Sequence, residues 1–427
     1  MMAMRSLRGL ARRASTATAP SATLSPVIAR HALLREDSDC DVAAFDELLR
    51  REAHAVSLAD YPHARAIQSG VLVYDGATFG DADAWSADER DELLAELAAA
   101  FLEGPGIVAI VGAVPAADVD GATAVFDEII AEQRASPSGA AGDHFAKPGA
   151  NDRIWNAAEK LARRAPAAFC DYYRAPALAL PAEAWLGPGY QLTAQVNRVN
   201  PGGAAQAPHR DYHLGFMTAA QAARFPRHVH AAVSPMLTLQ GAVAHCDMPL
   251  ESGPTLYLPH SHKYAPGYLA TTREAFVEHF ASRRVQLPMR KGDAIFFNPA
   301  LFHAAGANTS RDTFRVANLL QLSSPLGRAM ESLDRAAMCA ALYPELLRRR
   351  AAAGGSDAVD GALARVVAAS AEGYAFPVNL DRAPPVGGLA PPSQADLVLD
   401  ALRGTRSPDE LERALEQHAD DRRTDEV

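Results

Sequence analysis

Between residues 190 and 323 the chain is cut into short apolar runs by glycine- and proline-rich turns, and this rhythm limits the fold more than any other feature. Runs at 190–199, 237–244, 255–258, 285–288, 293–298 and 314–322 read as strands. Many short strands joined by such turns predict a sandwich or barrel. In the first run Thr193, Gln195 and Asn197 alternate with Leu192, Ala194 and Val196, so the two sets face opposite sides of a sheet. An inward polar face is out of place in a plain core but suits a barrel that encloses a polar ligand. Gln195 and Asn197 are therefore expected to line a pocket.

The next stretch, Ala207-Pro-His-Arg-Asp-Tyr-His-Leu-Gly-Phe216, sets His209 and Asp211 two positions apart. On an extended strand both project to one side, as two ligands of one ion must. A third ligand is expected from His303, which ends Lys291-Gly-Asp-Ala-Ile-Phe-Phe-Asn-Pro-Ala-Leu-Phe-His303. Two imidazoles and a carboxylate on one side of an ion form the facial triad of non-heme Fe(II) oxygenases, which leaves positions open for a bidentate co-substrate and dioxygen. The same alternation turns Arg210 and Tyr212 away from the metal. It leaves His213 near enough to meet a substrate. Arg315 follows His303 by twelve positions and opens another apolar run, where its planar fork could grip a carboxylate. Nine of the fourteen histidines fall between His209 and His303, so most are bystanders. His260 and His262 share the two-residue spacing but have no acid beside them. The polar, aromatic loop at 144–155 offers Lys147 or Arg153 to an anionic group.

From about residue 94 to 324 these segments, in this order, resemble the phytanoyl-CoA dioxygenase (PhyH-like) family of Fe(II)/2-oxoglutarate oxygenases. The matching stretches are Gly106-Ile-Val-Ala-Ile-Val-Gly-Ala-Val-Pro115, His209-Arg-Asp211, Glu251-Ser-Gly-Pro-Thr-Leu-Tyr-Leu-Pro-His-Ser-His-Lys263, the Phe302-His303 run and Phe314-Arg315. The resemblance implies an α+β chain with a mainly β core, a double-stranded β-helix (jelly roll, cupin-like) with flanking N- and C-terminal helices. It implies Fe(II) on His209, Asp211 and His303, and 2-oxoglutarate on Arg315 with dioxygen beside it. It also implies hydroxylation of a C–H bond in a small-molecule, acyl or lipid-like substrate, with succinate and carbon dioxide as co-products. Halogenating relatives lack the carboxylate, so Asp211 implies hydroxylation. Two departures stand out: His260 occupies a turn position where glycine is common, and Ala305 stands where some members place a serine near the co-substrate. A non-oxidative metal-dependent cupin-like enzyme and a catalytically silent binding protein are the alternatives.

The net charge of −10 and the lack of a basic stripe argue against nucleic acid as a partner. No run of about twenty apolar residues predicts a membrane span. Cys40, Cys170, Cys246 and Cys339 are scattered, as thiols in a reducing intracellular compartment are. Residues 1–35 carry Arg5, Arg8, Arg12, Arg13, Arg30 and Arg35 without an acid, a composition that fits a mitochondrial transit peptide; a cytoplasmic location is the alternative. The expected organisation is a leader at 1–35, a helical region with the opening strand at 36–189, the β-helix core at 190–325, and a helical extension with a proline-rich segment at 326–427. That segment, 374–392, is expected to cross the core or cover the pocket. The sequence leaves the oligomeric state open.

Overall fold

The alternation at 190–199 becomes a strand whose two faces meet different surroundings. The computed structural model describes residues 25–34, 39–80, 84–136, 149–354, 359 and 361–424. Most of the arginine-rich leader, and Lys147, lie outside the described residues. Among the described residues eleven strands are formed: β1 (Ala66–Gln68), β2 (Val71–Asp75), β3 (Ile107–Val111), β4 (Asn151–Ile154), β5 (Gln191–Val199), β6 (Thr238–Ala244), β7 (Leu256–Leu258), β8 (Val285–Gln286), β9 (Ala294–Phe297), β10 (Phe302–Ala304) and β11 (Arg315–Ser323). One sheet runs β1-β2-β3-β9-β6-β11-β5-β4 and the other β10-β7-β8. All neighbours are antiparallel except β2 and β3.

The two sheets face each other as a jelly roll. Tyr257 of the small sheet meets Phe297 of the large one with ring centroids 5.1 Å apart, and Val71, Ile107, Ile295 and Leu301 complete that apolar contact. The outer residues of the large sheet, among them Leu192, Ala194, Val196, Leu239, Val243, Phe296, Leu320 and Leu322, pack under a cover of helices. These include Ala87–Leu102, Ala116–Ala135, Pro166–Tyr173 and Arg335–Ala352. The outer residues Leu256, Leu258, Phe302 and Ala304 of the small sheet pack against Phe45 and Leu49 from Val42–Ala55 and against Phe276 and Phe280 from Glu274–Arg283. With helices on both outer faces, the inner face of each sheet is left for the site. The capping boxes at Ser86/Glu89 and Ser407/Glu410 open their helices with both reciprocal hydrogen bonds made.

Two expectations are corrected. The helical region expected at 36–189 is not helical up to its opening strand: Ser69 and Gly70, both at positive φ, turn the β1–β2 hairpin, and β2 joins the large sheet beside β3. The large sheet therefore draws four strands from before residue 190, and the β-helix extends beyond 190–325. The helical extension expected from 326 has its first helix only at Arg335, capped by Asp334. The 374–392 segment is free of helix and packs against Gln394–Arg403 and Pro408–Asp420, contributing nothing to the cleft between the sheets.

His245, just after β6, is clamped inside the core. Thr123 Oγ1 spends its proton on the Val119 carbonyl and so accepts from Nδ1 at 2.8 Å, while the Tyr172 hydroxyl donates to Nε2 at 2.9 Å. Burial pushes its pKa down to about 3, and burial does the same to His262, whose Nε2 donates to the Leu102 carbonyl at 3.1 Å. Such groups take up a proton at pH 5 only when the chain unfolds, so their stabilisation is complete above about pH 6.5 and is lost as pH falls towards 3. Each is expected to cost about 2 kcal/mol between pH 7 and pH 5. Urea denaturation at the two pH values should show this loss. His245→Phe should be less pH-sensitive, and an unchanged midpoint would exclude the effect.

Candidate active site

His303 sits at the centre of β10, opposite Tyr257 of β7. On its other side the chain at His209 forms a single bridge: His209 N–H donates to the His303 carbonyl at 3.0 Å and His303 N–H to the His209 carbonyl at 3.1 Å. The two imidazoles therefore lie side by side, with ring centroids 4.4 Å apart. Asp211, two residues on, turns its carboxylate towards both, with Oδ1 3.5 Å from His209 Nε2 and Oδ2 3.4 Å from His303 Nε2. One candidate ligand atom from each lies within 4.8 Å of the others, the one such group of His, Cys, Asp or Glu found among the described residues.

The surroundings set the protonation of each group. His209 Nδ1 lies 2.9 Å from the Ala207 carbonyl, and His303 Nδ1 lies 2.9 Å from the Leu301 carbonyl. A carbonyl only accepts, so both Nδ1 atoms carry the proton and both Nε2 lone pairs face the gap where an ion would sit. Burial, and then the adjacent His303, push the pKa of His209 below its ordinary value, which keeps the ring neutral. For Asp211 burial raises the pKa, but its neighbours His303 and His209 and the Gln240 amide together outweigh it and hold the carboxyl down to about 2. Gln240 of β6 donates from Nε2 to Asp211 Oδ2 at 2.5 Å and fixes the carboxylate's rotation.

The strand alternation around the pair ends sooner than expected. Arg210 does point away: it is fully buried, with Nη2 donating to the carbonyls of Ser261 at 2.6 Å and Tyr264 at 2.8 Å, and its guanidinium lies over Tyr268 and Phe302. It ties the His209–Asp211 segment to the turn after β7. A Cβ at Gly267 would come within 2.0 Å of Arg210 Cζ, so only glycine fits there. Tyr212, expected to point away, lines the cleft instead, because Tyr212 and His213 both have positive φ and break the two-residue period. His213 is not among the cleft residues, and its half-buried ring has a pKa lowered by burial. His260 and His262 lie outside the cleft too. His260 adopts φ +67°, the left-handed position that explains why glycine suits that turn.

A cleft opens from the triad along the inner face of the large sheet. Cross-strand register lines up Asn197 with Ala317, which in turn faces Ala244, and lines up Gln195 with Leu319, which faces Ala242. Gln195 and Asn197 thus share the cleft with Arg315, Arg153, Gln206 and Ala305. Asn197 accepts from Asn151 Nδ2 at 3.1 Å and Gln195 accepts from Arg153 Nη1 at 3.0 Å, so both amides are already engaged with β4. Gln206 Oε1 receives the Ala305 N–H at 3.1 Å.

Arg315 is the unusual charge. It is 7% exposed, and its hydrogen bonds are two long ones from Nη1, to the carbonyls of Ser252 at 3.5 Å and Gly306 at 3.3 Å. Among the described residues no carboxylate pairs with it. Burial lowers its pKa to about 10, still well above neutrality, so it keeps a charge that the described residues leave uncompensated. A buried guanidinium at the edge of a cleft that holds two imidazoles and a carboxylate fits an oxygen-ligated metal with a dicarboxylic co-substrate. Sequence reading missed Gln240 and Tyr212. Gln240 carried a signal, as a lone amide on the inward side of the otherwise small and apolar β6.

The solved structures that resemble the chain are distant. The 2-oxoglutarate-dependent epimerase SnoN from nogalamycin biosynthesis is 22% identical, with a TM-score of 0.38, over 55% of this chain and 82% of SnoN. The carbocyclase SnoK from the same biosynthesis is 21% identical, with a TM-score of 0.37, over 53% of this chain and 83% of SnoK. EctD from S. alaskensis, crystallised with 2-oxoglutarate and 5-hydroxyectoine, is 20% identical, with a TM-score of 0.41, over 57% of this chain and 80% of EctD. No curated protein sequence matches. No described helix is long and apolar enough to cross a membrane. The family model of phytanoyl-CoA dioxygenase matches residues 102–317, half of the chain and all of the triad, and the protein belongs to that family of Fe(II)- and 2-oxoglutarate-dependent oxygenases.

Proposed function

We propose that His209, Asp211 and His303 hold the iron, that Arg315 anchors the far carboxylate of 2-oxoglutarate, and that the enzyme hydroxylates a C–H bond of a small molecule in the cleft. The observation that carries this reading is the unpaired, buried Arg315 on the same cleft as the triad. A non-oxidative metal enzyme on this scaffold has no use for a buried cation without an anion, and a silent binding protein has no use for three ligands with their lone pairs converging.

When bound, iron with 2-oxoglutarate supplies the activation of dioxygen that a C–H bond demands, with succinate and carbon dioxide as co-products. The chain's own residues bind, orient and exclude. The Ala207 and Leu301 carbonyls hold both imidazoles in the tautomer that presents Nε2. Gln240 holds one oxygen of Asp211, leaving Oδ1 to turn towards the metal. Arg315 neutralises the distal carboxylate, and its fork sets the co-substrate's direction along the cleft. Gln195 and Asn197 keep the rear wall polar and fixed, as secondary contacts to the co-substrate or substrate.

The test is succinate formation. Protein purified without oxygen and supplied with Fe(II), 2-oxoglutarate and air should produce succinate. A substrate should raise oxygen uptake above that background and gain one oxygen atom. No succinate under any condition, with zinc found in the purified protein, would favour the non-oxidative enzyme.

A further inference from the structure

Gln240 and Gln321, beside the metal group, have their amide orientation set by a charge, Gln240 directly by Asp211 and Gln321 through Gln195 and Arg153, and each leaves one polar atom without a protein partner among the described residues. A metal-holding carboxylate can only accept, so Gln240 must present Nε2 to Asp211; its Oε1 is then buried, with no partner, and Gln240 is 9% exposed. Arg153 can only donate, so Gln195 must present Oε1 to it and Nε2 to the acceptors beyond, Gln321 Oε1 at 3.5 Å and Met330 Sδ at 3.9 Å. Gln321 Oε1 also lies 3.2 Å from Thr193 Oγ1. Its Nε2 has no protein partner among the described residues and, unlike Gln240 Oε1, is not a buried atom: Gln321 lines the cleft. Gln240 and Gln321 are direct cross-strand partners of β6 and β11 on the cleft face. A buried acceptor without a partner and a donor open to the cleft thus stand on paired residues, beside the Asp211 that Gln240 holds.

We infer that Gln240 and Gln321 form a paired donor–acceptor clamp for a substrate group that both accepts and donates, a hydroxyl or a primary amide, seated beside the reacting position. The inference rests on the reading of the cleft as the oxygenase site and adds the substrate class: a small molecule already bearing such a group near the C–H bond attacked, as opposed to a bare hydrocarbon chain. A buried polar pair built this way selects by penalty. A substrate lacking the group leaves both amides dehydrated and unpaired, which costs more than the matched hydrogen bonds gain. The hydroxyl of Tyr212, buried, without a partner among the described residues and on the same cleft, adds a third polar atom to a wall that an alkyl chain would leave unsatisfied.

The test uses size-matched probes on the full-length protein loaded with Co(II) and 2-oxoglutarate without oxygen. Benzyl alcohol, benzamide and toluene are titrated, and the relaxation of their protons by the bound cobalt reports both affinity and proximity to the metal. Benzyl alcohol and benzamide should bind about tenfold tighter than toluene. Gln321→Leu should erase the preference, and Gln321→Glu, which swaps the donor for an acceptor at constant shape, should shift it to benzylammonium. Equal binding of toluene and benzyl alcohol, no binding of any probe, or an unchanged preference in both variants would overturn the clamp. If the protein takes up neither cobalt nor 2-oxoglutarate, the failure is that of the oxygenase reading. The probe preference is then read on the metal-free protein by saturation-transfer NMR, with the same outcomes deciding it.

Discussion

Asp211→Ala is expected to lower succinate formation from 2-oxoglutarate by more than about a thousandfold. Partners that merely orient a ligand typically cost about 10–100-fold in metal affinity or activity when removed, and a direct ligand must cost more. The substitution leaves His209 and His303 as two neutral donors, removes the only anionic one, and abandons the Gln240 amide that was holding it. Two measurements separate loss of the site from loss of the protein. Iron uptake in an oxygen-free titration should fall with the activity. The metal-free variant should remain folded, because the carboxylate, held at about 2 against an ordinary 3.8, contributes at most about 2 kcal/mol at neutral pH. That contribution is present above about pH 4 and fades as the pH falls towards 2. A variant that keeps wild-type turnover would remove Asp211 from the metal.

The site was legible in the sequence wherever a short-range rule governed it. A two-residue period is a property of the backbone, so the alternation at 191–199 was enough to separate the wall facing the cleft from the wall facing the helices. The same rule failed at Tyr212, because it cannot see the positive φ values at Tyr212 and His213, which come from fitting the chain around the rim. Arg210 read as a residue turned away from the metal. Nothing local said that it would be buried whole against the carbonyls after β7, since those partners are fifty residues distant. The hairpin at 66–75 was overlooked although its Ser-Gly turn was visible: the run of β2 is five residues long, and only pairing with β3 makes it a strand. Burial, too, is invisible in a sequence. Arg315 can be picked out by its position after His303, but that it lacks an acidic partner among the described residues, the fact that gives it meaning, exists only once the sheets have closed.

That missing partner yields the second large effect, and one with opposite signs in two assays. Arg315→Met is expected to raise the KM for 2-oxoglutarate by about 100-fold to 1,000-fold, because truncating one side of a buried charge pair costs about 2–5 kcal/mol. In the absence of 2-oxoglutarate the same variant should be as stable as the wild type, or more so. A desolvated guanidinium with two long contacts to carbonyls is a cost that an apolar side chain of similar length does not carry. Denaturation midpoints make the contrast visible: saturating 2-oxoglutarate should raise the wild-type midpoint by mass action and leave the Met variant where it was. Arg315→Lys should fall between them, since it keeps the charge but loses the planar fork that fits a carboxylate with two bonds. Iron binding should be equal in all three, which separates the anchor from the metal group. A Met variant that binds 2-oxoglutarate as tightly as the wild type would show that the buried charge serves something else, and the anchoring role would then have to pass to Arg153, the other arginine on the cleft.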